Sequence, residues 1–241
     1  MFGPDVDAAA MAHAIAEFPR ESVGIVSDGA YRPLRNVSPF PEKAFRIRTR
    51  DVACSFDAVI HSHPKPALPW PSKKDIECQH ESAVPWGIVS TDGITASPPN
   101  WFGDHLLDVP LIGRQYVFGV FDCWSLVRSY QWQRFGIKMP DIPRDADEFR
   151  NGNSIFVDLI GDHRFRVRQV DNETLIPGDI IVMQIGRAKL PNHVAVMDTD
   201  GAMLHHSSEQ LSRRDPFYGR WAKFMIRHVR HMDAPVDSHR R

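Results

Sequence analysis

Cysteine, histidine and carboxylate side chains attack carbonyls, carry protons and hold metals, and two groups of them stand out by spacing. Asp122 is a favoured N-cap residue. Val120, Trp124, Val127, Tyr130 or Gln131, and Phe135 recur at helical spacing before Gly136, so the stretch reads as an amphipathic helix with Cys123 in its first turn. Unpaired N–H groups and the positive end of the helix dipole there favour thiolate over thiol. The bland alternative is a buried cysteine that only packs, the commoner fate of a free thiol. A thiol nucleophile also needs an imidazole within reach and a third polar group to orient that imidazole. His193 opens a strand after a proline-containing loop, and His205 lies on the next strand across a short turn. Antiparallel neighbours can set the two rings side by side, the second fixing the tautomer of the first. Adjacent strand residues point oppositely, so only one of His205 and His206 can face the site, and the reading takes His205; otherwise both are surface histidines.

The second group is His61-Ser62-His63, followed by Ser72 and Asp75. In a strand, residues i and i+2 share a face, so both imidazoles can reach one point, and Asp75 in the first turn of the next helix can supply a carboxylate. Two histidines and one carboxylate suit a tetrahedral zinc ion with its fourth position open to water, the catalytic arrangement. A base is then needed, and Glu21 at the edge of the first strand qualifies; Glu17 is a rival but sits within a helix. With 12 histidines in the chain, a His-x-His pair can also arise by chance. Ser72 and Asp75 have a further explanation as a capping box.

The elements that must position these groups follow from hydrophobic periodicity and turn signals. Residues 6–18 read as an alanine-rich helix stopped by Pro19, then 22–27, 31–37, 44–48 and 56–61 as strands, with Asp28-Gly29 closing the first. A proline-rich loop over 64–71 leads to a helix over 72–82 and a strand over 86–91. The pattern dissolves over 97–110. Beyond the Cys123 helix come a polar loop over 141–154 and strands over 165–170, 180–185, 193–198, 202–206 and 224–229.

At 241 residues with 42% apolar residues and a net charge of -1, the chain is long enough for one large domain or two small ones. The charge gives no field for nucleic acid, although Arg213, Arg214, Arg220, Lys223, Arg227 and Arg230 make the C-terminal part locally basic. Cysteines at 54, 78 and 123 are too scattered for a disulfide framework, which suggests a reducing place of synthesis. The N-terminus is acidic, and no apolar run approaches the roughly 20 residues of a membrane span, so neither a signal peptide nor a span is expected.

Taken together, Glu21, His61-Ser62-His63-Pro64 and Ser72-Lys73-Lys74-Asp75 resemble the JAMM metalloprotease signature of the JAB/MPN fold, over roughly residues 1–95. The resemblance implies that His61, His63 and Asp75 bind Zn²⁺, that Glu21 is the general acid/base and that Ser72 supports the oxyanion. The gap from His63 to Ser72 is one residue longer than the family's usual gap, and the domain is short. The order Asp122-Cys123-Trp124, Pro177-Gly178-Asp179, Asn192-His193-Val194, His205 resembles the NlpC-like family of papain-related cell-wall peptidases, over roughly residues 105–230. It implies a Cys123–His193–His205 triad that cleaves peptide bonds next to D-amino acids or γ-linked glutamate. Tyr116 matches that family's tyrosine ahead of the nucleophile, which implies contact with substrate or oxyanion; a core tyrosine is the other reading.

The expected fold is therefore α+β in two domains. Residues 1–97 form a JAMM-like α/β domain with a mixed sheet, 98–110 a linker, 111–231 a papain-like NlpC domain with a helix packed on an antiparallel sheet, and 232–241 a disordered tail. This succession resembles the tail tip assembly proteins of lambda-like siphophages. That resemblance implies synthesis in the bacterial host cytoplasm, a place at the tail tip, action on peptidoglycan stem peptides and other tail tip proteins as partners. Two alternatives stay open: a structural assembly factor with one or both sites vestigial, and a metal domain that clips a tail protein during maturation.

Overall fold

The computed structural model describes residues 1–52, 55–144, 154, 156, 157, 159 and 161–235. Cys54, most of the 141–154 loop and residues 236–241 of the expected tail lie outside the described residues. The chain divides into two compact units, Met1–His105 and Leu106–Arg241. Among the described residues no helix is long and apolar enough to cross a membrane.

The first unit is a five-stranded mixed sheet in the order β2-β1-β3-β4-β5. Helix α1 (Pro4–Glu17) starts with a proline in its first turn, where no N–H partner is lost. It lays Val6, Ala10 and Ala14 on Val26, Ala58, Ile60 and Val89 of the sheet. β1 (Val23–Ser27) turns into β2 (Ala30–Leu34) through Asp28 and Gly29, both at positive φ, the conformation that a two-residue hairpin turn demands. β3 (Ala58–Pro64) pairs antiparallel with β1 and parallel with β4 (Trp86–Thr91), and α2 (Lys73–Ser82) is the crossover that the parallel pair requires. Residues 44–48 are not the strand that their composition suggests. Asn36 holds them as an irregular arm, its Oδ1 accepting from Arg46 N and its Nδ2 donating to Ala44 O. Within the expected linker, β5 (Asn100–Phe102) pairs with β4 through the register Ile88↔Asn100, and a 3-10 turn covers Asp104–Asp108. Three residues are too few to show a strand period, so the sequence hid β5.

The second unit is an antiparallel six-stranded sheet, β10-β9-β8-β7-β11-β6. Its strands are β6 (Val167–Gln169), β7 (Ile180–Met183), β8 (His193–Met197), β9 (Ala202–His205), β10 (Arg213–Pro216) and β11 (Met225–His231). β6 is shorter than expected because His163–Phe165 forms a 3-10 turn ahead of it. Alternate residues face two cores. Val182, Val194, Val196 and Leu204 meet Trp124, Val127 and Tyr130 of helix α3 (Cys123–Phe135), while Ile181, Ala195, Met203 and Met197 meet Phe217 and Trp221.

α3 begins and ends where the sequence says: Asp122 caps it by accepting from Ser125 N, and Gly136 closes it in the left-handed conformation. The amphipathic reading needs correcting, because every residue from Trp124 to Gln131 is buried. Polar members of that run find internal partners, with Gln131 Oε1 the exception: Arg128 Nε donates to Met139 O, Ser129 Oγ accepts from Arg114, and Gln131 Nε2 donates to Gly178 O.

Candidate active site and candidate metal centre

In the second unit, the first residue of α3 and the first residue of β8 converge on one pocket of about 320 Å³. Cys123, His193, Tyr116, Asn192, His206 and Trp221 are among its lining. Behind His193 runs a line of polar contacts. His193 Nε2 lies 3.3 Å from His205 Nδ1, and His205 Nε2 lies 3.2 Å from Asp215 Oδ2. The register Ala195↔His205 makes the two histidines diagonal rather than direct neighbours, with their rings edge-on at 86°. Trp221 closes on the other side of His205, ring centroids 4.6 Å apart.

The electrostatics differ from the expected thiolate. Burial, reinforced by the adjacent Asp122 carboxylate, pushes the Cys123 thiol up to about 12, against the opposing pull of Val194 N–H, the Arg144 charge and Trp124 N–H. Burial, with His205 and His206 adding to it, brings His193 down to about 3. The resting pair is therefore a neutral thiol and a neutral imidazole. A helix N-terminus contributes only within its first turn, and desolvation with a carboxylate beside the sulfur outweighs it.

His206 also departs from the sequence reading. β9 ends at His205, so alternation no longer governs the next residue. Both histidines are buried, and His206 packs edge-on against Tyr116 with ring centroids 5.2 Å apart. Burial raises the Tyr116 hydroxyl's pKa, so it stays protonated and able to donate.

In the first unit, β3 and α2 bring two imidazole nitrogens and the two oxygens of one carboxylate together. His61 Nε2 lies 3.1 Å from His63 Nε2 and 3.4 Å from Asp75 Oδ1, and His63 Nε2 lies 3.5 Å from Asp75 Oδ2. Tetrahedral zinc with bonds of about 2.0–2.1 Å sets its ligand atoms roughly 3.3 Å apart, so the cluster fits that ion. Leu68 O sits 2.7 Å from His63 Nδ1 and can only accept, so a neutral His63 has its Nε2 lone pair aimed into the cluster; burial lowers the His63 pKa, but Asp75 outweighs burial and raises it. Burial, partly offset by Asp75, lowers His61 to about 4 and makes it a neutral ligand.

Ser72 N and Ser72 Oγ donate to Asp75 Oδ2 at 2.8 and 2.7 Å, and Asp75 N donates back to Ser72 Oγ, a complete capping box. Extending the register Val23↔His61 by two residues sets Glu21 opposite His63. Glu21 is buried, and that burial raises its carboxyl to about 7, with His63 opposing and Asp75 adding. Glu17, its rival, instead forms an exposed ion pair with Arg20.

The NlpC/P60 family matches residues 113–230, the span that carries Cys123, His193 and His205. The tail tip assembly protein K of Escherichia phage N15 is 34% identical over 240 residues, covering 94% of each chain. The chain belongs to the tail tip assembly protein K family. A second relative, tail tip assembly protein K of Escherichia phage lambda, is 35% identical over 167 residues, 69% of this chain and 77% of that one. A solved NLP/P60-family protein from Staphylococcus aureus, described as similar to a lipoprotein, is 20% identical and covers 54% of this chain and 42% of that one. Its TM-score is 0.33. The NlpC/P60 match lies within the second unit.

Sequence reasoning missed Asp215 and Arg144. Asp215 sits on β10, whose Arg213-Arg214-Asp215-Pro216 carries no apolar alternation and was read only as local basic charge. Arg144 is buried beside the start of α3, where it holds Asp122 through Nε and NH2 at 2.7 and 3.0 Å. The carboxylate, itself buried, is thereby kept below the usual range. A buried arginine far along the chain from its partner leaves no periodic signal.

Proposed function

We propose that the second unit is a cysteine peptidase that cleaves peptide bonds of cell-wall peptidoglycan during tail tip action. The observation that carries the reading is the shared pocket of Cys123 and His193, with His205 directly behind His193. Because thiol and imidazole are both neutral at rest, the sulfur gains its nucleophilicity as it reacts. His193 takes the thiol proton while Cys123 Sγ bonds to the scissile carbonyl carbon. The same proton then passes to the departing amine as the C–N bond breaks, leaving a thioester that water hydrolyses. His205 orients the His193 ring, and Tyr116, a protonated hydroxyl on the pocket wall, is placed to donate to substrate or to the oxyanion. The test is release of new amino termini from purified peptidoglycan. Other tail tip proteins are the partners that this family membership suggests.

We further propose that the first unit holds one Zn²⁺ on His61, His63 and Asp75. The ion would supply an acidified water as nucleophile. Glu21, with a carboxyl raised to about 7, is poised to take and return a proton at neutral pH, and Ser72 steadies Asp75. Protein reconstituted with zinc and desalted is expected to retain about one zinc per chain. His63→Ala is expected to retain less than roughly a fifth of that, because only two ligands remain. Metal analysis of both proteins decides this, and equal zinc in the two would remove the site. A peptidase that clips a tail protein is the second reading for this unit; it is favoured by the raised Glu21 carboxyl beside the ligand cluster.

A further inference from the structure

We infer that Asp215 is a positioning residue of the second unit: acting through His205, it selects which nitrogen of His193 is the basic one. The inference rests on the reading of His193 as the base for Cys123. It starts from the far end of the polar line. Asp215 Oδ2 lies 3.2 Å from His205 Nε2, Arg213 Nε donates to that same oxygen at 3.2 Å, and Arg213 NH2 makes an ion pair with it at 3.1 Å. An ionised carboxylate only accepts, so the proton of neutral His205 sits on Nε2.

A neutral imidazole has one N–H, which makes His205 Nδ1 an acceptor. Two groups approach it, His193 Nε2 and Ser207 Oγ, each at 3.3 Å. For the histidine pair to bond, His193 must carry its proton on Nε2 and keep Nδ1 as the lone pair that receives a proton. The carboxylate fixes the His205 proton, and His193, with Ser207 Oγ as the competing donor at the same distance, takes the matching tautomer when it bonds to His205 Nδ1.

The geometry leaves few ways round this. Trp221 packs edge-on against His205, and His205 is itself 1% exposed, so its ring does not flip to present the other nitrogen. β10 pairs with β9 through Arg213↔His205 and Asp215↔Met203, which puts Asp215 diagonal to His205 on the same sheet. Without the carboxylate, His205 Nε2 loses its acceptor, and the tautomer protonated at Nδ1 becomes accessible. His193 Nε2 must then accept, its proton moves to Nδ1, and the base toward the thiol is lost.

Asparagine behaves differently from alanine at this position. Arg213 Nε donates to the oxygen that faces His205 and its NH2 lies close by, so the amide of Asp215→Asn is held with its own oxygen there, and an acceptor for His205 Nε2 remains. A purely structural Arg213–Asp215 ion pair predicts the opposite grouping: both substitutions abolish the charge, and neither changes a histidine tautomer.

The experiment uses the full chain labelled with ¹⁵N-histidine, with ring nitrogens of His193 and His205 assigned by through-bond correlation above pH 7. Wild type and Asp215→Asn are expected to show Nε2–H on both rings. Asp215→Ala, or Asp215→Leu if the alanine variant does not fold, is expected to show a majority of Nδ1–H. In peptidoglycan digestion the alanine variant should lose kcat on the order of 10²-fold at unchanged KM, short of the roughly 10⁴-fold loss when a triad histidine is trapped in the wrong tautomer. Asp215→Asn should restore most of it. Nε2–H retained on both rings of the alanine or leucine variant would overturn the inference. The tautomer readout needs no turnover. A shift in a protein that digests no peptidoglycan would sink the proposed peptidase and leave the positioning role standing.

Discussion

Cys123→Ala is expected to lower release of amino termini from peptidoglycan by roughly 10³-fold or more, while leaving the fold intact. The size of the loss follows from the chemistry. Without sulfur there is no acyl-enzyme, and the neutral His193 left behind, at about 3, is a poor base for activating water directly. The fold should survive because Cys123 is only partly buried at the lip of the pocket, whereas Trp124 next to it is fully buried in the core. His193→Ala should lose activity to a similar extent, since residues that act as one unit are grossly non-additive. Adding the second substitution to the first should then change little. A chelator arm separates the two units: cleavage that persists in Cys123→Ala but stops on metal removal belongs to the zinc cluster. Unchanged, chelator-resistant release by a folded Cys123→Ala protein would end the cysteine mechanism.

For the proposed peptidase, the directions of the two pKa shifts favour a neutral pair at rest. An ion pair formed in advance would have shown a lowered thiol and a raised imidazole, and both shifts run the other way. On the proposed reading, substrate entering the pocket would remove water and bring a carbonyl to the sulfur, which would couple proton transfer to attack. Asp122 makes this coupling necessary, because a carboxylate immediately before the nucleophile penalises a standing thiolate.

What could be read from the sequence was local. Asp122 and Gly136 mark the ends of α3 because capping and the left-handed close depend on a few neighbouring atoms. His61 and His63 share a face because a strand has a period of two, and Asp28-Gly29 announces a hairpin for equally local reasons. What could not be read depended on partners distant in sequence. Whether Cys123 is a thiolate depends on burial by the sheet behind it. Asp215 joins the site through a short edge strand with charged residues in place of a hydrophobic period. His206 turns toward the pocket because β9 stops one residue earlier. Residues 44–48 have the composition of a strand but do not join the sheet, because Asn36, outside that stretch, ties them down as an irregular arm.

Arg144→Leu is expected to destabilise the second unit by about 3–5 kcal/mol at pH 7, the cost of leaving a buried charge without its partner. Arg144 is 1% exposed and Asp122 2%, so little water reaches either after the change. The guanidinium satisfies both oxygens of Asp122, Asp141 Oδ1 and Ser125 Oγ at once. Those bonds hold the cap on which the first turn of α3, and therefore Cys123, depends. Asp122→Asn combined with Arg144→Leu should recover part of the loss, because removing both charges avoids the isolated one. The pH dependence gives an independent check with a definite sign. In wild type the folded pKa of Asp122 is depressed, so its contribution is present above the unfolded value near 3.9 and is lost as pH falls through the folded value. In Arg144→Leu, burial without the cation raises the folded pKa, so the penalty is full at neutral pH and relaxes as the carboxyl takes up a proton. The stability gap between the two proteins should therefore narrow between pH 7 and pH 4.5 in urea unfolding. A gap that stays constant or widens would mean that Asp122 does not carry the charge that Arg144 was placed to meet.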